Sequence, residues 1–389
     1  MSQPFFSKRH FISLMISGCM TVSAQLSGRD NLTVSLLTVD PGEELYASFE
    51  HSALRVKDSL EGHDWVFNYG MFDFNAPGFY ANFARGRMDY ILGVQRYEHF
   101  LNIYAVEGRA IYEQVLLLDS LQKKFITDFL YNNARPENRH YRYHFFLDNC
   151  ATRIRDLVEQ TFDNIEWPPS AQSPTYRELV YDCTRNHPWG RFAIDIALGL
   201  PTDQKTGTWE QMFLPGYLAK AFAQATSNGQ PIAGEMHPAL IPADPLVVRP
   251  SAVTPMMVGC LLLALALLFC FVQKGARIFD FTLFFVTGWT GVLVCFLWFF
   301  TDHTNTHGNL NLIWALPTHT VMAFFLLSKK HNGFVRKYFL ATAVISVLLL
   351  ASRTFLPQHM NTALIPVHIA LALRAFLTSR TLSVDQQPK

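Results

Sequence analysis

The hydrophobic pattern divides the chain near residue 250. Before that point, short alternating runs and helical repeats are broken by turns, whereas after it long apolar runs follow one another with few charges between them. A helix that spans a bilayer needs about 20 mostly apolar residues. Five runs approach this length, near 253–273, 279–300, 311–328, 338–356 and 361–378. The pattern therefore predicts a water-exposed part followed by an all-α membrane domain of five transmembrane helices.

The loops between these runs predict the orientation of the membrane domain. Loops 301–310 and 356–360 contain no Lys or Arg, whereas basic residues follow the first, third and fifth runs. Basic loops face the cytoplasm in most membrane proteins, so the part before residue 253 should lie outside it. The basic residues are Lys274, Arg277, Lys329, Lys330, Arg336, Lys337 and Arg380.

The first residues support export. Lys8 and Arg9 precede an apolar stretch over 11–22, and small residues end it at Ala24, as in a secretory signal. The stretch ending at Cys19 also fits a lipobox, in which Cys19 would be the lipidated first residue of the mature chain. Cleavage after Ala24, lipidation at Cys19 and retention as an anchor all remain open.

The outer part predicts an α+β fold with a small antiparallel sheet and helices packed on it. Strands are expected over 33–38, 52–57 and 65–69, with a turn at 58–62 joining the last two. The stretch 104–118 also has a β-like pattern, whereas 121–132 and 149–162 have helical spacing.

The domain boundaries follow from these patterns and from a proline-rich stretch near residue 250, which predicts a stiff extended linker. The prolines lie at 238, 242, 245, 250 and 255. We predict a signal or anchor over 1–24, an extracytoplasmic catalytic domain over 25–243, a linker over 244–252, a transmembrane domain over 253–378 and a cytoplasmic tail over 379–389.

Charge agrees with this division. Of the 32 Lys and Arg residues 10 follow Ser251, but only three of the 31 Asp and Glu residues do. The whole chain is 50% hydrophobic with a net charge of +1, which argues against a nucleic-acid partner. The motifs suggest neither a metal site nor a cofactor.

The candidate chemistry centres on a cysteine and a histidine. Cys150 begins a predicted helix, where the positive end of the helix dipole favours a thiolate, and His51 begins a predicted strand. Together they suggest a Cys–His pair in which the imidazole takes the thiol proton. A disulfide between Cys150 and Cys183 is the structural alternative.

A third polar group should orient His51, and either Asn68 or His63 is available; we favour Asn68. Histidine opening a strand, then a hairpin, then cysteine at the start of a later helix resembles the circularly permuted NlpC/P60 or lecithin:retinol acyltransferase group of papain-like enzymes. That resemblance implies a permuted papain-like fold and acyl transfer through a cysteine thioester.

Five stretches of the outer part, and the outer loop of the membrane part, together resemble the Bacteroidetes lipoprotein N-acyltransferase family called Lnb. In that family glycine is commoner than glutamate at the position of Glu50. The resemblance implies that Cys150 and His51 are nucleophile and base, and that a phospholipid donates an acyl chain to the α-amine of a lipoprotein's diacylglyceryl-cysteine in the bacterial inner membrane. The stretches are 51–56, 66–74, 83–94, 141–156, 210–218 and 302–317.

Further polar residues are candidates for contacts with the lipid substrates. Asn149, with a backbone N–H of Cys150 or Ala151, could stabilise the oxyanion, and several arginines could hold the donor phosphate. The polar outer loop is either an ordinary solvated loop or a site for lipid headgroups. The candidate substrate-binding residues are Asn149, Arg153, Asp302, His303 and Asn309, with Arg85, Arg87 and Arg155 as further phosphate candidates.

Two other functions remain open. The same Cys–His pair would serve a cysteine amidase or peptidase that cleaves peptidoglycan, although five apolar runs and 33 Phe residues favour a lipid substrate. Alternatively, the outer domain would bind a partner without catalysis, as a membrane-anchored sensor.

Overall fold

The structure is a computed structural model that describes residues 31–72, 77–327 and 333–384. The predicted signal over 1–24, with Cys19, and the basic residues Lys329 and Lys330 lie outside the described residues. Within them, an N-terminal α+β domain is followed by a helical membrane part, as the hydrophobic pattern predicts.

The N-terminal domain is built on a seven-stranded antiparallel sheet in the order β10-β5-β1-β2-β3-β4-β6, and a small second sheet joins β7, β8 and β9. The strands are β1 (Leu32–Val39), β2 (His51–Asp58), β3 (His63–Met71), β4 (Met88–Arg96), β5 (Ile111–Val115), β6 (His140–Tyr143), β7 (Ile165–Glu166), β8 (Thr226–Ser227), β9 (Gln230–Pro231) and β10 (His237–Leu240).

Alternation along the central strands buries both faces of the large sheet. Leu36 and Leu54 point to one face and are fully buried among helices, whereas Leu37 and Ala53 point to the other and are equally buried. Side chains alternate between the faces of a strand, so helices are needed on both sides. The hairpin predicted at 58–62 joins β2 to β3, with Asp58 opposite His63.

Eight helices belong to this domain in the described part of the chain: α1 (Phe79–Ala84), α2 (Tyr97–Val106), α3 (Ser120–Asn133), α4 (Cys150–Thr161), α5 (Tyr176–Cys183), α6 (Pro188–Ala197), α7 (Thr208–Gln211) and α8 (Pro215–Gln224). Helices α3 and α4 lie where the 3.6-residue spacing predicts them. Helix α4 packs on β2 and β3 through Ile154 and Leu157, which are buried with Leu54 and Phe67 in one core.

The β-like stretch 104–118 is only partly a strand. Tyr104 lies in α2, and β5 begins at Ile111. Phe100 and Tyr104 of α2 pack against the sheet face that carries Leu37 and Ala53. Aromatic residues favour strands by intrinsic preference, but here the need to cover a second apolar face selects a helix.

The proline-rich stretch begins as part of the sheet. Residues 237–240 form β10 at the sheet edge and pair with β5, with Pro238 opposite Tyr112. An edge strand tolerates proline because one row of its N–H groups needs no partner. No helix or strand lies between 241 and 254, in agreement with an extended linker.

In the part of the chain that the structure describes, five α-helices follow residue 254: α9 (Pro255–Phe271), α10 (Ala276–Phe299), α11 (Thr318–Leu327), α12 (Gly333–Ser352) and α13 (Leu364–Val384). In the described residues three segments are long and apolar enough to cross a membrane, Ala276–Phe299, Leu310–Leu327 and Gly333–Phe355, and α9 is a shorter apolar helix. A buried ion pair between Asp280 and Arg374, with oxygen–nitrogen distances of 2.6 and 2.9 Å, joins α10 to α13.

Candidate functional site

A capping box fixes Cys150 as the first residue of α4. The side-chain oxygen of Asn149 accepts hydrogen bonds from the backbone N–H groups of Ala151 and Thr152, each at 2.9 Å. The Thr152 hydroxyl accepts the backbone N–H of Asn149 at 2.8 Å in return. This reciprocal pattern satisfies N–H groups that a helix start leaves without partners, and it holds the cysteine at the helix end that faces β2.

The amide nitrogen of Asn149 is also occupied. It donates to the carbonyl oxygens of Phe145, at 2.7 Å, and Phe213, at 2.8 Å. Both of its N–H bonds and its oxygen therefore serve the local fold, and the side chain is 3% exposed. The contacts of Asn149 with the chain are thus those of a structural cap.

His51 and Asn68 meet across the sheet. The Nε2 atom of His51, at the start of β2, lies 2.6 Å from the side-chain oxygen of Asn68 on β3. Because that oxygen only accepts, Nε2 donates and Nδ1 is left as the basic nitrogen. His63 lies at the other end of β3, exposed, with its Nδ1 3.2 Å from Glu61. The geometry thus brings Asn68, and not His63, to His51.

Cys150 shares one cavity with His51 and Asn68. The cavity has a volume of about 460 Å³ and is walled mainly by apolar and aromatic side chains. The backbone N–H of Ser52, the residue after His51, hydrogen-bonds the Cys150 sulfur. Gly70 also lines the cavity, at a bulge in β3 where its φ of +92° favours glycine, and a Cβ there would lie 3.9 Å from the Cβ of Cys150.

Burial controls the protonation of this pair. It raises the pKa of the Cys150 thiol to about 11, although backbone N–H groups of Ser52, Ala151 and Cys150 itself act in the opposite direction. Burial also lowers the pKa of His51 to about 4, against the opposing effect of the hydrogen bond that His51 donates to Asn68. The thiolate expected at a helix start is therefore not the resting form, because desolvation outweighs the dipole.

Glu50 has a backbone conformation that is rare for any residue except glycine, with φ of 62° and ψ of −170°. Its carboxylate accepts the backbone N–H of Gly216 at the start of α8. A Cβ on Gly216 would lie 2.6 Å from a carboxylate oxygen of Glu50. The two residues are thus fitted to each other, and they fix the chain where it enters β2 at His51.

Arg109 is a functional candidate that the sequence pattern misses. It lines the same cavity and is 6% exposed. Its Nε donates to the carbonyl oxygen of Asp40 at 2.7 Å, and its Nη1 lies 2.9 Å from Glu107. Of the described residues that line the cavity, Arg109 alone carries a permanent positive charge. No motif surrounds it, so only the folded chain identifies it.

Cys150 and Cys183 are both free thiols. The disulfide alternative is therefore wrong for the folded chain. Cys183 ends α5, and burial raises the pKa of its thiol to about 12.

Arg153 lies outside the cavity. Its guanidinium forms two hydrogen bonds with Asp148, at 2.6 and 2.9 Å, and stacks 3.7 Å from the ring centre of Tyr141. These contacts position it beside the first turn of α4, but they leave its predicted contact with a phosphate untested.

The polar outer loop after α10 binds the N-terminal domain. Asp302 forms an exposed ion pair with Arg87 at 3.0 Å, and His303 Nε2 donates to the carbonyl oxygen of Phe83 at 3.0 Å. Asn309 is buried and donates to the carbonyl oxygens of Ile196 and Ala197 at 2.8 and 3.1 Å. The loop is therefore neither freely solvated nor open around Asn309.

Within the described ranges no group of three His, Cys, Asp or Glu side chains could hold a metal ion. The arrangement that remains is a buried thiol, an imidazole and an amide in an apolar cavity. A Cys–His pair of this kind can form and resolve an acyl thioester.

Two family models match the chain. The model described as the Lnb N-terminal periplasmic domain matches residues 25–181, and the model described as the Lnb transmembrane domain matches residues 248–385. The two matches follow in chain order and together cover well over half of the sequence. Searches of curated proteins and of solved structures gave no match.

Proposed function

The chain belongs to the Lnb family and is a membrane-anchored protein with a periplasmic domain, and from this premise we propose that it is a lipoprotein N-acyltransferase. It would move an acyl chain from a membrane phospholipid, through a thioester on Cys150, to the α-amine of a diacylglyceryl-cysteine lipoprotein. The observation that carries the proposal is the buried Cys150 in one apolar cavity with the hydrogen-bonded pair His51 and Asn68.

The first half-reaction acylates the enzyme. His51 Nδ1 takes the proton from the Cys150 sulfur as the sulfur attacks the ester carbonyl carbon of the phospholipid. A carbon–sulfur bond forms, and the carbon–oxygen bond to the glycerol then breaks. His51 returns the proton to the departing alkoxide, which leaves as lysophospholipid.

The second half-reaction transfers the chain. The neutral α-amine of the lipoprotein attacks the thioester carbonyl, and His51 accepts a proton from the nitrogen as the amide bond forms. The carbon–sulfur bond breaks, and the proton returns to Cys150. Water would hydrolyse the same thioester, so an apolar cavity favours transfer over hydrolysis.

Backbone N–H groups would stabilise the oxyanion. The N–H groups of Ala151 and Thr152 are engaged by the Asn149 cap, so we assign this role to the N–H of Cys150 at the first position of α4. Removing one such donor from an enzyme costs roughly 2.7–4 kcal/mol of transition-state stabilisation.

Arg109 would contact the phosphate of the donor. It lines the cavity that holds Cys150, and its ion pair with Glu107 leaves it inside that lining, whereas Arg87 and Arg153 do not line the cavity. A phosphate beside Arg109 would place the ester of the same lipid within the cavity.

The topology proposal follows from the basic loops. All five helices α9 to α13 would cross the inner membrane, with the catalytic domain over 25–243 in the periplasm in a permuted papain-like fold. Residues 244–252 would be the linker and 379–389 the cytoplasmic tail. Residues 1–24 would be the signal or anchor.

Mass spectrometry of a reporter lipoprotein tests the function. A host lacking its own N-acylating enzyme would express the wild-type chain, Cys150→Ala or Cys183→Ala. We expect a third acyl chain on the reporter's N-terminal cysteine with the wild type and with Cys183→Ala, and a diacyl product with Cys150→Ala.

Diacyl reporter in all three strains, with the proteins folded and exported, would overturn the proposal. Release of muropeptides by the wild type would then favour a peptidoglycan hydrolase. A triacyl product with Cys150→Ala would instead show that another group carries the acyl chain.

A further inference from the structure

A second cavity adjoins the one that holds Cys150. It has a volume of about 440 Å³, within the roughly 300–1,000 Å³ of small-molecule sites, and its lining is mostly apolar. Five residues line both cavities: Phe49, Phe83, Tyr143, Phe145 and Ile194. The rings of Phe49 and Phe145 meet edge to face, with centroids 4.8 Å apart, in this shared wall.

The far end of the second cavity lies at the membrane part. Leu297, in the last turn of α10, lines it together with residues 302–306 of the outer loop. Helix α1 is fastened to the same end of α10, because the backbone N–H of Asp302 donates to the carbonyl oxygen of Arg85 at 2.8 Å. The cavity thus begins where α10 leaves the membrane and ends at the wall it shares with the Cys150 cavity.

Exposed aromatic side chains surround this end. Tyr80 and Phe83 of α1 are 72% and 50% exposed, and Phe299 and Phe300 at the end of α10 are 61% and 74% exposed. Aromatic residues in such positions favour the interface between membrane and water. The second cavity therefore lies at the level of the lipid surface.

We propose that the two cavities form one channel that holds the acyl chain of the donor phospholipid, with its ester at Cys150 and its methyl end toward the membrane. This inference rests on the proposed function. A lipid of the outer leaflet has its headgroup uppermost and its chains below, so it could rise into the channel without turning over. Its phosphate would then lie beyond Cys150, in the cavity that Arg109 lines.

Helix α6 supplies the small residues of the channel. Ala193 and Ala197 line only the second cavity, and Ile194 lines both. Residues 193 and 197 lie one helical turn apart on one face. Methyl side chains at both positions keep this wall thin, so a large side chain at either would close the route of a long acyl chain.

Substitution of Ala197 tests the channel. Full-length protein in vesicles would receive phosphatidylethanolamines with short, medium and long acyl chains in equal amounts, and a synthetic diacylglyceryl-cysteine peptide as acceptor. We expect Ala197→Phe to raise the ratio of short to long chains in the product by about tenfold or more, since pocket contacts with single methylene groups discriminate by roughly 10–200-fold. The hydrogen bond from Asn309 survives, because it goes to the backbone oxygen of Ala197.

A matched control and a second variant complete the test. Ala105→Phe places the same ring on the exposed side of α2, away from both cavities, and should keep the wild-type ratio. Ala193→Phe, at an exposed position of α6, should shift the ratio as Ala197→Phe does and serves if that variant fails to fold.

The two levels of the proposal fail in different ways. Suppose that both α6 variants fold and give the wild-type ratio of short to long chains, while the wild type transfers normally. The channel proposal would then be wrong, and the transferase proposal would stand. If the wild type transfers no acyl chain from any donor, the transferase proposal is wrong, and so is the proposal that the channel holds an acyl chain.

Discussion

At neutral pH the Cys150 thiol and the His51 imidazole are both uncharged, because burial raises the pKa of the first to about 11 and lowers that of the second to about 4. The active form then needs no ion pair at rest, and proton transfer accompanies attack on the ester. Its acid limit is the pH at which His51 gains a proton and can no longer accept one from the thiol. Asn68 helps to set that limit through its 2.6 Å hydrogen bond.

The substitution Asn68→Asp should move the acid limit upward. A carboxylate beside Nε2 favours the imidazolium, and an opposite charge at this distance shifts a pKa by about 1–3 units. The pKa of His51 would rise from about 4, so kcat should fall at a higher pH than in the wild type. Measurement of kcat against pH from acidic to neutral conditions checks this.

His63→Gln provides the control, since His63 is exposed at the far end of β3 and its loss should leave the pH profile unchanged. An acid limit that stays at the wild-type position in Asn68→Asp would mean that His51 is not the catalytic base.

The sequence predicts where Cys150, His51 and Asn68 lie because their positions depend on local signals, a helix start and two paired strands. It missed the protonation state, since burial is a property of the folded chain. It also could not show why glycine suits the position before His51. The φ of 62° at Glu50 supplies the reason, and the contact with Gly216 holds glutamate there instead.

Among the elements, α6 depends most on distant parts of the chain. Its last carbonyl groups accept the side-chain amides of Asn309 and Asn311 from the membrane part. Arg177 of α5 is 1% exposed and pairs with Asp195 at 3.3 Å and Asp203 at 2.9 Å. A helix end leaves four carbonyl groups without partners, and here residues of the membrane part supply hydrogen-bond donors to them.

The substitution Arg177→Ala should therefore destabilise the protein strongly. Removing one partner of a buried ion pair leaves buried charge uncompensated and typically costs about 3–5 kcal/mol. Arg185→Ala removes a similar side chain whose pair with Asp182 is exposed, and exposed pairs contribute little to stability. Thermal unfolding in detergent compares the two variants. Equal melting temperatures would show that the Arg177 network contributes little to stability.

The sequence predicts a helix well where one apolar face of that helix packs against one hydrophobic core. Helices α3 and α4 follow this rule. Strands β1 to β3 are buried on both faces, but short apolar runs bounded by turns mark them in the sequence. All five elements lie close to their expected positions. Helices α5 and α6 gave no such signal, since their partners include residues of the membrane part. Their positions depend on contacts between segments more than a hundred residues apart, which a local pattern does not contain.

In the whole molecule, the membrane part contacts the periplasmic domain at several points as well as being joined to it by the chain. The outer loop binds α1 through His303 and α6 through Asn309, and Gln358, in a later outer loop, donates to Leu198 and Asn309. Two lipid substrates at one membrane surface need an active site held at a fixed height above it. The contacts of the outer loop supply that constraint.

Weakening the contact between the outer loop and α6 should reduce transfer from membrane lipids without reducing the reactivity of the thiol. In Asn309→Ala the carbonyl groups of Ile196 and Ala197 lose the Asn309 amide, and only Ile196 keeps a second donor in Asn311, so the alignment of the channel with the membrane is weakened. Transfer from phospholipid in vesicles should fall about tenfold or more, since misplacements near 1 Å cost up to roughly 10²-fold. Acylation of Cys150 by a soluble short-chain thioester should remain near wild type.

His307→Ala is the matched control, because its side chain is exposed in the same loop. Mass spectrometry of the acyl-enzyme and of the lipopeptide product measures the two steps separately. Unchanged transfer in Asn309→Ala would show that the contacts of Asn309 are not needed to position the domain.

The high pKa of the buried thiol has a consequence for survival in an oxidising compartment. Peroxide and disulfides react with thiolates, and the thiol form is inert to them. With a pKa of about 11, Cys150 exposes almost no thiolate to these oxidants between turnovers. Its neutral resting state thus protects the cysteine from irreversible oxidation. The proposed nucleophile can therefore stay reduced in a compartment where most pairs of cysteines form disulfides.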